Sequence, residues 1–75
     1  MAINYENLLT QEQKKAIVEN RLQQFAADAY QTELNRETQV RDNNEEAVIS
    51  YDATLALLES AIAVHEEELA KLTAE

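Results

Sequence analysis

The residues with the most chemical potential stand together near the end of the chain: His65, Glu66, Glu67 and Glu68. A histidine beside three carboxylates invites a metal reading, because zinc takes about four N, S or O ligands converging on one point. The carboxylate di-iron bundles need Glu-x-x-His from paired helices. Position 62 is isoleucine, so that motif is absent, and position 69 is leucine, so His-Glu-x-x-His is absent too. Only symmetry-related chains would complete a metal shell here, and the expectation is no metal and no cofactor. Nucleophilic catalysis fares no better. Ser50 and Ser60 lie mid-segment with no neighbouring base and no Gly-rich elbow, and there is no cysteine. The absence of glycine also removes the usual phosphate-cradling loop. Active sites need pockets of about 300 Å³ or more, and two helices enclose no such interior. No catalytic residue is assigned, and the chain is expected not to be an enzyme.

The segment that carries His65 is more telling than the histidine itself. Val48, Tyr51, Leu55, Leu58, Ile62, His65, Leu69 and Leu72 recur at alternating spacings of three and four, the heptad signature of a helix packed along one seam. Ile49, Ala53, Leu57, Ala61 and Val64 form a second stripe on another side of the same helix. One stripe buries a helix against one neighbour, so two stripes call for two neighbours. The rest of the chain supplies one helix of comparable length, which leaves the second stripe for another molecule. His65 then reads as a polar residue within a core seam, a specifier of register or partner number, or as a half-exposed ring packed on Leu22 or Leu69. Tyr5, Tyr30, Tyr51 and Phe25 are the only aromatics. They read as core-edge residues, with Tyr30 or Tyr51 as the alternative anchors of a protein interface.

At 75 residues the chain is a single small domain, a size at which one core yields only a few kcal/mol of net stability. With no cysteine, disulfides are excluded, and oligomerisation is the remaining device. Glycine and proline are both absent, which disfavours strands joined by tight turns, while Ala, Leu, Glu and Gln favour helix. The formal charge of −9, from 15 acids against 6 bases, argues against direct nucleic-acid binding. The longest uninterrupted apolar run, Ala61 to Val64, is too short for a bilayer. Met1 to Glu6 lacks the basic and apolar regions of a signal peptide. A cytoplasmic protein without a membrane partner is the expectation.

The elements follow from cap signals. Residues 1–10 form an apolar lead-in with Ile3, Tyr5, Leu8 and Leu9. Thr10 and Gln13 have capping-box spacing, which predicts a helix over 11–41 with its stripe at Val18, Leu22, Phe25 and Ala29. Beyond Tyr30 only Leu34 and Val40 are large and apolar, so Glu37 with Arg41 and Glu33 with Arg36 are expected to support that half. Asp42-Asn43-Asn44 is the one turn-like cluster, with Asn43 and Glu46 at capping-box spacing, and it predicts a reversal followed by a helix over 45–73. Folding there places residue 43−k near residue 44+k. Leu34 then faces Leu55, Tyr30 faces Leu58, Phe25 faces Ile62 and Val18 faces Leu69, while Lys14, Lys15 and Arg21 approach Glu66, Glu67 and Glu68. The rival is one unbroken helix from Gln11 to Thr73, which the poor helix propensity of Asp-Asn-Asn opposes. The expected architecture is all-α, an antiparallel two-helix hairpin that assembles into a four-helix bundle as a homodimer.

The stretch Leu9-Thr10-Gln11-Glu12-Gln13-Lys14, followed by Arg21-Leu22-Gln23-Gln24-Phe25, Ala29-Tyr30 and Glu33-Leu34-Asn35, resembles small uncharacterised helical proteins encoded by tailed phages, as does Ala61-Ile62-Ala63-Val64-His65-Glu66-Glu67-Glu68-Leu69. The resemblance covers most of the chain and brings no site residue with it. It implies a place in a bacterial host cytoplasm or in a virion. From the residues themselves, the expected function is a non-enzymatic interaction or assembly protein acting as a helical homo-oligomer through Ile49, Ala53, Leu57, Ala61 and Val64, with His65 as core specifier. The alternative is an acidic regulator, or nucleic-acid mimic, that occupies a basic site on a host protein. A mimic would gather its acids on one exposed face, whereas a scaffold spreads them.

Overall fold

Thr10 opens the first helix by a reciprocal exchange. Its hydroxyl accepts the Gln13 N–H at 3.1 Å, and Gln13 Oε1 accepts the Thr10 N–H at 2.8 Å. Two of the orphan donors of a helix start are thereby satisfied. In this computed structural model, which describes residues 8–74, helix α1 then runs Gln11–Arg41 and helix α2 runs Glu45–Thr73. The apolar lead-in residues Ile3 and Tyr5 lie outside the described residues; Leu8 is exposed and Leu9 half-buried.

The reversal is a Schellman turn built without glycine. Asn44 donates its N–H to the Gln39 carbonyl at 3.0 Å and Asn43 donates to Val40 at 3.1 Å. Asn43 takes the left-handed conformation between them, with φ of 59°. Asparagine is among the few residues other than glycine that enter this region readily. Asn44 then changes role: its side chain accepts the Ala47 N–H at 3.2 Å and starts α2. The N-cap of α2 is therefore Asn44, and the capping box expected from Asn43 and Glu46 does not form, because a left-handed Asn43 has already turned away from the α2 axis. One asparagine closes α1 and opens α2, which leaves no room for a longer loop.

The two helices pack antiparallel along one seam. Val18, Leu22, Phe25 and Ala29 of α1 face it, and their heptad continues through Thr32, Arg36 and Gln39, all half-buried. From α2 the full first stripe, Val48 to Leu72, is half-buried. The seam is thus apolar at the end remote from the turn and mixed near it. Arg21 meets His65 and Arg36 meets Asp52, each one position from the partner assigned by folding at Asn43. At the open end Gln11 Nε2 donates to the Leu72 carbonyl at 3.1 Å, fastening the first turn of α1 to the last of α2.

Overall dimensions of 51 × 27 × 16 Å describe one layer of two helices and nothing above or below it. Each helix with its side chains is about 10–12 Å across, so every seam residue is covered on one side only. Val18, at 8% exposure, is the one buried hydrophobic residue among the described residues, and none of these is fully buried.

Two expected alignments are corrected. Tyr30 and Leu34 do not enter the seam: both are exposed, and they flank an open groove with Leu55. The heptad explains this, because positions 29, 32 and 36 hold the seam and turn 30 and 34 aside. The expected Glu37–Arg41 and Glu33–Arg36 pairs also do not form. Arg36 reaches across to Asp52 Oδ1 at 2.5 Å and lies 3.8 Å from Glu37. As a seam residue it points at α2 rather than along its own helix.

Candidate functional site

His65 is held on three sides. Its Nδ1 lies 2.7 Å from the Ala61 carbonyl, an atom that only accepts, so Nδ1 carries the proton. Its Nε2 lies 3.0 Å from Arg21 Nε, which only donates, so Nε2 is the bare nitrogen. The geometry selects the Nδ1–H tautomer of the ring. The ring packs edge-on against Phe25 with centroids 4.9 Å apart, and the Arg21 guanidinium lies 5.3 Å from the Phe25 ring centre. Phe25, one turn further along α1 than Leu22, supplies the aromatic contact. Both ring nitrogens are engaged, so a metal at His65 would first have to displace Arg21. Among the described residues no cluster of three His, Asp or Glu side chains is arranged to hold a metal ion. Glu66, Glu67 and Glu68 are all exposed, and no ion pair joins them to Lys14 or Lys15. The basic residue at that end, Arg21, is instead committed to the histidine.

Near the turn, Arg36 is the polar counterpart. Asp52 hydrogen-bonds the guanidinium and faces it with opposite charge, which raises the Arg36 pKa above its ordinary value; Glu37 adds a smaller effect in the same direction. Beside this pair lies the groove of about 490 Å³ lined by Tyr30, Glu33, Leu34, Arg36, Glu37 and Leu55. It is an open side channel, bounded by the two helices and solvent.

The larger feature is the back of α2. Ile49 is 68% exposed, Leu57 73% and Val64 61%, with Ala53 exposed between them and Ala61 half-buried. On the helical wheel these residues lie across the helix from the α1 seam. Ala56, Ser60 and Ala63 fill the spaces beside them, all exposed. From Ala47 to Val64 the only charged residues are Asp52 and Glu59, and Asp52 is turned toward Arg36. By length and composition α2 is apolar enough to cross a bilayer, the one such helix among the described residues. This corrects the expectation drawn from Ala61 to Val64: an uninterrupted run is short, but the wider stretch is broken by only two acids.

The sequence found this face through its spacing. It missed the Arg21–Phe25–His65 cluster and the Arg36–Asp52 pair, which are visible only once the register is known. No protein-family model matches the chain, and no curated protein or solved structure matches it either. The resemblance to phage-encoded helical proteins rests on the quoted residues alone.

Proposed function

We propose that this protein is a non-enzymatic interaction protein that acts as a helical homo-oligomer, two hairpins pairing through the back of α2 to form a four-helix bundle. One observation carries the reading: Ile49, Leu57 and Val64 stand well over half exposed on one face, while among the described residues the hairpin buries Val18 alone. Each large side chain removed from water adds about 1.5–3 kcal/mol, and a domain this size lacks that margin by itself. A contiguous exposed apolar face on a small protein marks a binding surface.

A second copy fits this face better than a bilayer core does. Asp52 and Glu59 lie inside the apolar stretch, and an acid at mid-membrane costs about 2.5–3.5 kcal/mol. The net charge of −9 also repels anionic headgroups. The same charge leaves direct nucleic-acid binding unsupported. The chain's function as an assembly unit in a cytoplasm, a host's or its own, remains within this proposal, as does its lack of catalysis. The mimic alternative gains no observation: exposed acids occur at the turn (Asp42, Glu45, Glu46), at the open end (Glu66 to Glu68) and along α1 (Glu12, Glu19, Asp28). The test is sedimentation of the wild type beside Leu57→Glu, which places a charge at the centre of the face.

A further inference from the structure

Along one side of α1, Tyr30, Glu33, Leu34 and Glu37 follow one another at spacings of three and four, so they stand together on the helix surface. With Leu55 of α2 they line the open groove of about 490 Å³, and no lining residue belongs to the back of α2. Tyr30 is 64% exposed and Leu34 52%, and both carboxylates are exposed. The groove is therefore apolar where Tyr30, Leu34 and Leu55 converge and acidic at its rim.

The rim acids lack the bases that the sequence places near them. Arg36 stands three residues after Glu33 and Arg41 four after Glu37, spacings at which helix ion pairs form. The structure commits Arg36 to Asp52 and leaves it 3.8 Å from Glu37. Among the described residues no ion pair engages Glu33 or Arg41. Two rim carboxylates thus share one guanidinium that Asp52 already matches, and the groove keeps a net negative charge.

That combination selects its occupant. Phosphate-bearing ligands are repelled. A wholly apolar helix would cover Glu33 and Glu37 without pairing them, which is costly. A segment with Lys or Arg beside an apolar side chain satisfies both parts. Its cations reach the carboxylates and the face of Tyr30, and its apolar residue covers Leu34 and Leu55. From Tyr30 to Glu37 the groove follows two helical turns, about 10 Å, enough for a short helix laid along it. The chain itself offers no such segment. Lys14 and Lys15 are half-buried, Arg21 is held by His65 and Arg36 by Asp52. Arg41 and Lys71 stand singly in the last turns of the two helices.

We propose that the Tyr30–Leu34–Leu55 groove docks a basic amphipathic helical segment of another protein, with Glu33 and Glu37 taking its cations. This surface is additional to the back of α2 and does not depend on pairing there.

The test is an NMR titration of the isotope-labelled full chain at low salt with a helical lysine–alanine peptide that carries two leucines four residues apart. Saturable shifts are expected at residues 30–37 and at Leu55. The double variants Glu33→Gln/Glu37→Gln and Tyr30→Ala/Leu34→Ala should each weaken binding about tenfold. All four side chains are exposed, so the hairpin should persist, and circular dichroism checks it. The peptide with alanine in place of its leucines should also bind about tenfold more weakly. Glu66→Gln/Glu67→Gln/Glu68→Gln removes more charge, at the open end, and should change the constant by less than about twofold. Shifts spread over the acidic surface, with both sets of charge variants weakening binding equally, would reduce the effect to general charge attraction and overturn the proposal. So would the absence of binding at about millimolar peptide. Concentration-dependent shifts at the groove without peptide would place a second copy there and overturn the basic partner. Failure of the homo-oligomer reading shows separately, as a monomer mass in sedimentation.

Discussion

Arg21 donates its Nε–H to Nε2 of His65 at 3.0 Å, and this bond fixes which proton the imidazole carries. The Ala61 carbonyl takes the other, so the Nδ1–H tautomer is the one the fold selects. Nitrogen-detected NMR at neutral to mildly alkaline pH should show Nδ1 as the protonated nitrogen and Nε2 as the bare one. A ring protonated at Nε2 alone would contradict the register at this end of the hairpin.

His65→Leu removes that constraint while keeping bulk in the seam beside Phe25. Its expected effect is an intact helical hairpin that melts at or above the wild-type temperature. Arg21→Ala should leave helicity unchanged, since the guanidinium is exposed. Circular dichroism melts check both. Loss of the fold in His65→Leu would mean that the polar contacts, rather than the packing, hold this end.

Asn43 bears the left-handed backbone of the turn at φ 59°. Asn43→Val should destabilise the hairpin by about 1–2 kcal/mol, the cost of that conformation for a residue with a branched Cβ. Asn43→Gly should be neutral or stabilising. Equal melting temperatures for Val and Gly variants would show that the chain does not reverse here, as a continuous helix requires.

Arg36 and Asp52 are predicted to couple. The upward pKa shift of Arg36 means that its stabilising contribution is complete below the unfolded-state pKa and is lost only in strong alkali. The useful variable is therefore salt rather than pH. A double-mutant cycle with Arg36→Ala and Asp52→Ala should give a non-zero interaction in dilute buffer that shrinks in high salt. Additive effects at both would show that the pair contributes nothing measurable.

The hairpin was legible because helix period and cap chemistry are local. Thr10 with Gln13, the Asp42–Asn44 cluster and the heptads at Val18 and Val48 each depend on neighbours within a turn or two. The polar half of the seam was not legible, because Thr32, Arg36 and Gln39 occupy heptad positions without being apolar. A search for hydrophobic spacing passes over them and selects Leu34 and Tyr30, which the structure turns outward. The partners of Arg36 and His65 were hidden for a related reason. Contacts within one helix are set by spacing, whereas contacts across a hairpin depend on a register that a single-residue shift would alter. The exposed apolar face on α2 was readable as a stripe, but its isolation from α1 is a fact of the packed pair.

The central claim is that the back of α2 is covered by a second copy, and sedimentation equilibrium at micromolar concentration in moderate salt tests it most directly. The expected result is a reversible dimer for the wild type and a less stable monomer for Leu57→Glu, with helical content retained enough to show that the hairpin persists. A wild type that sediments as a stable monomer across that range, with Leu57→Glu indistinguishable from it in mass and melting temperature, would contradict the account.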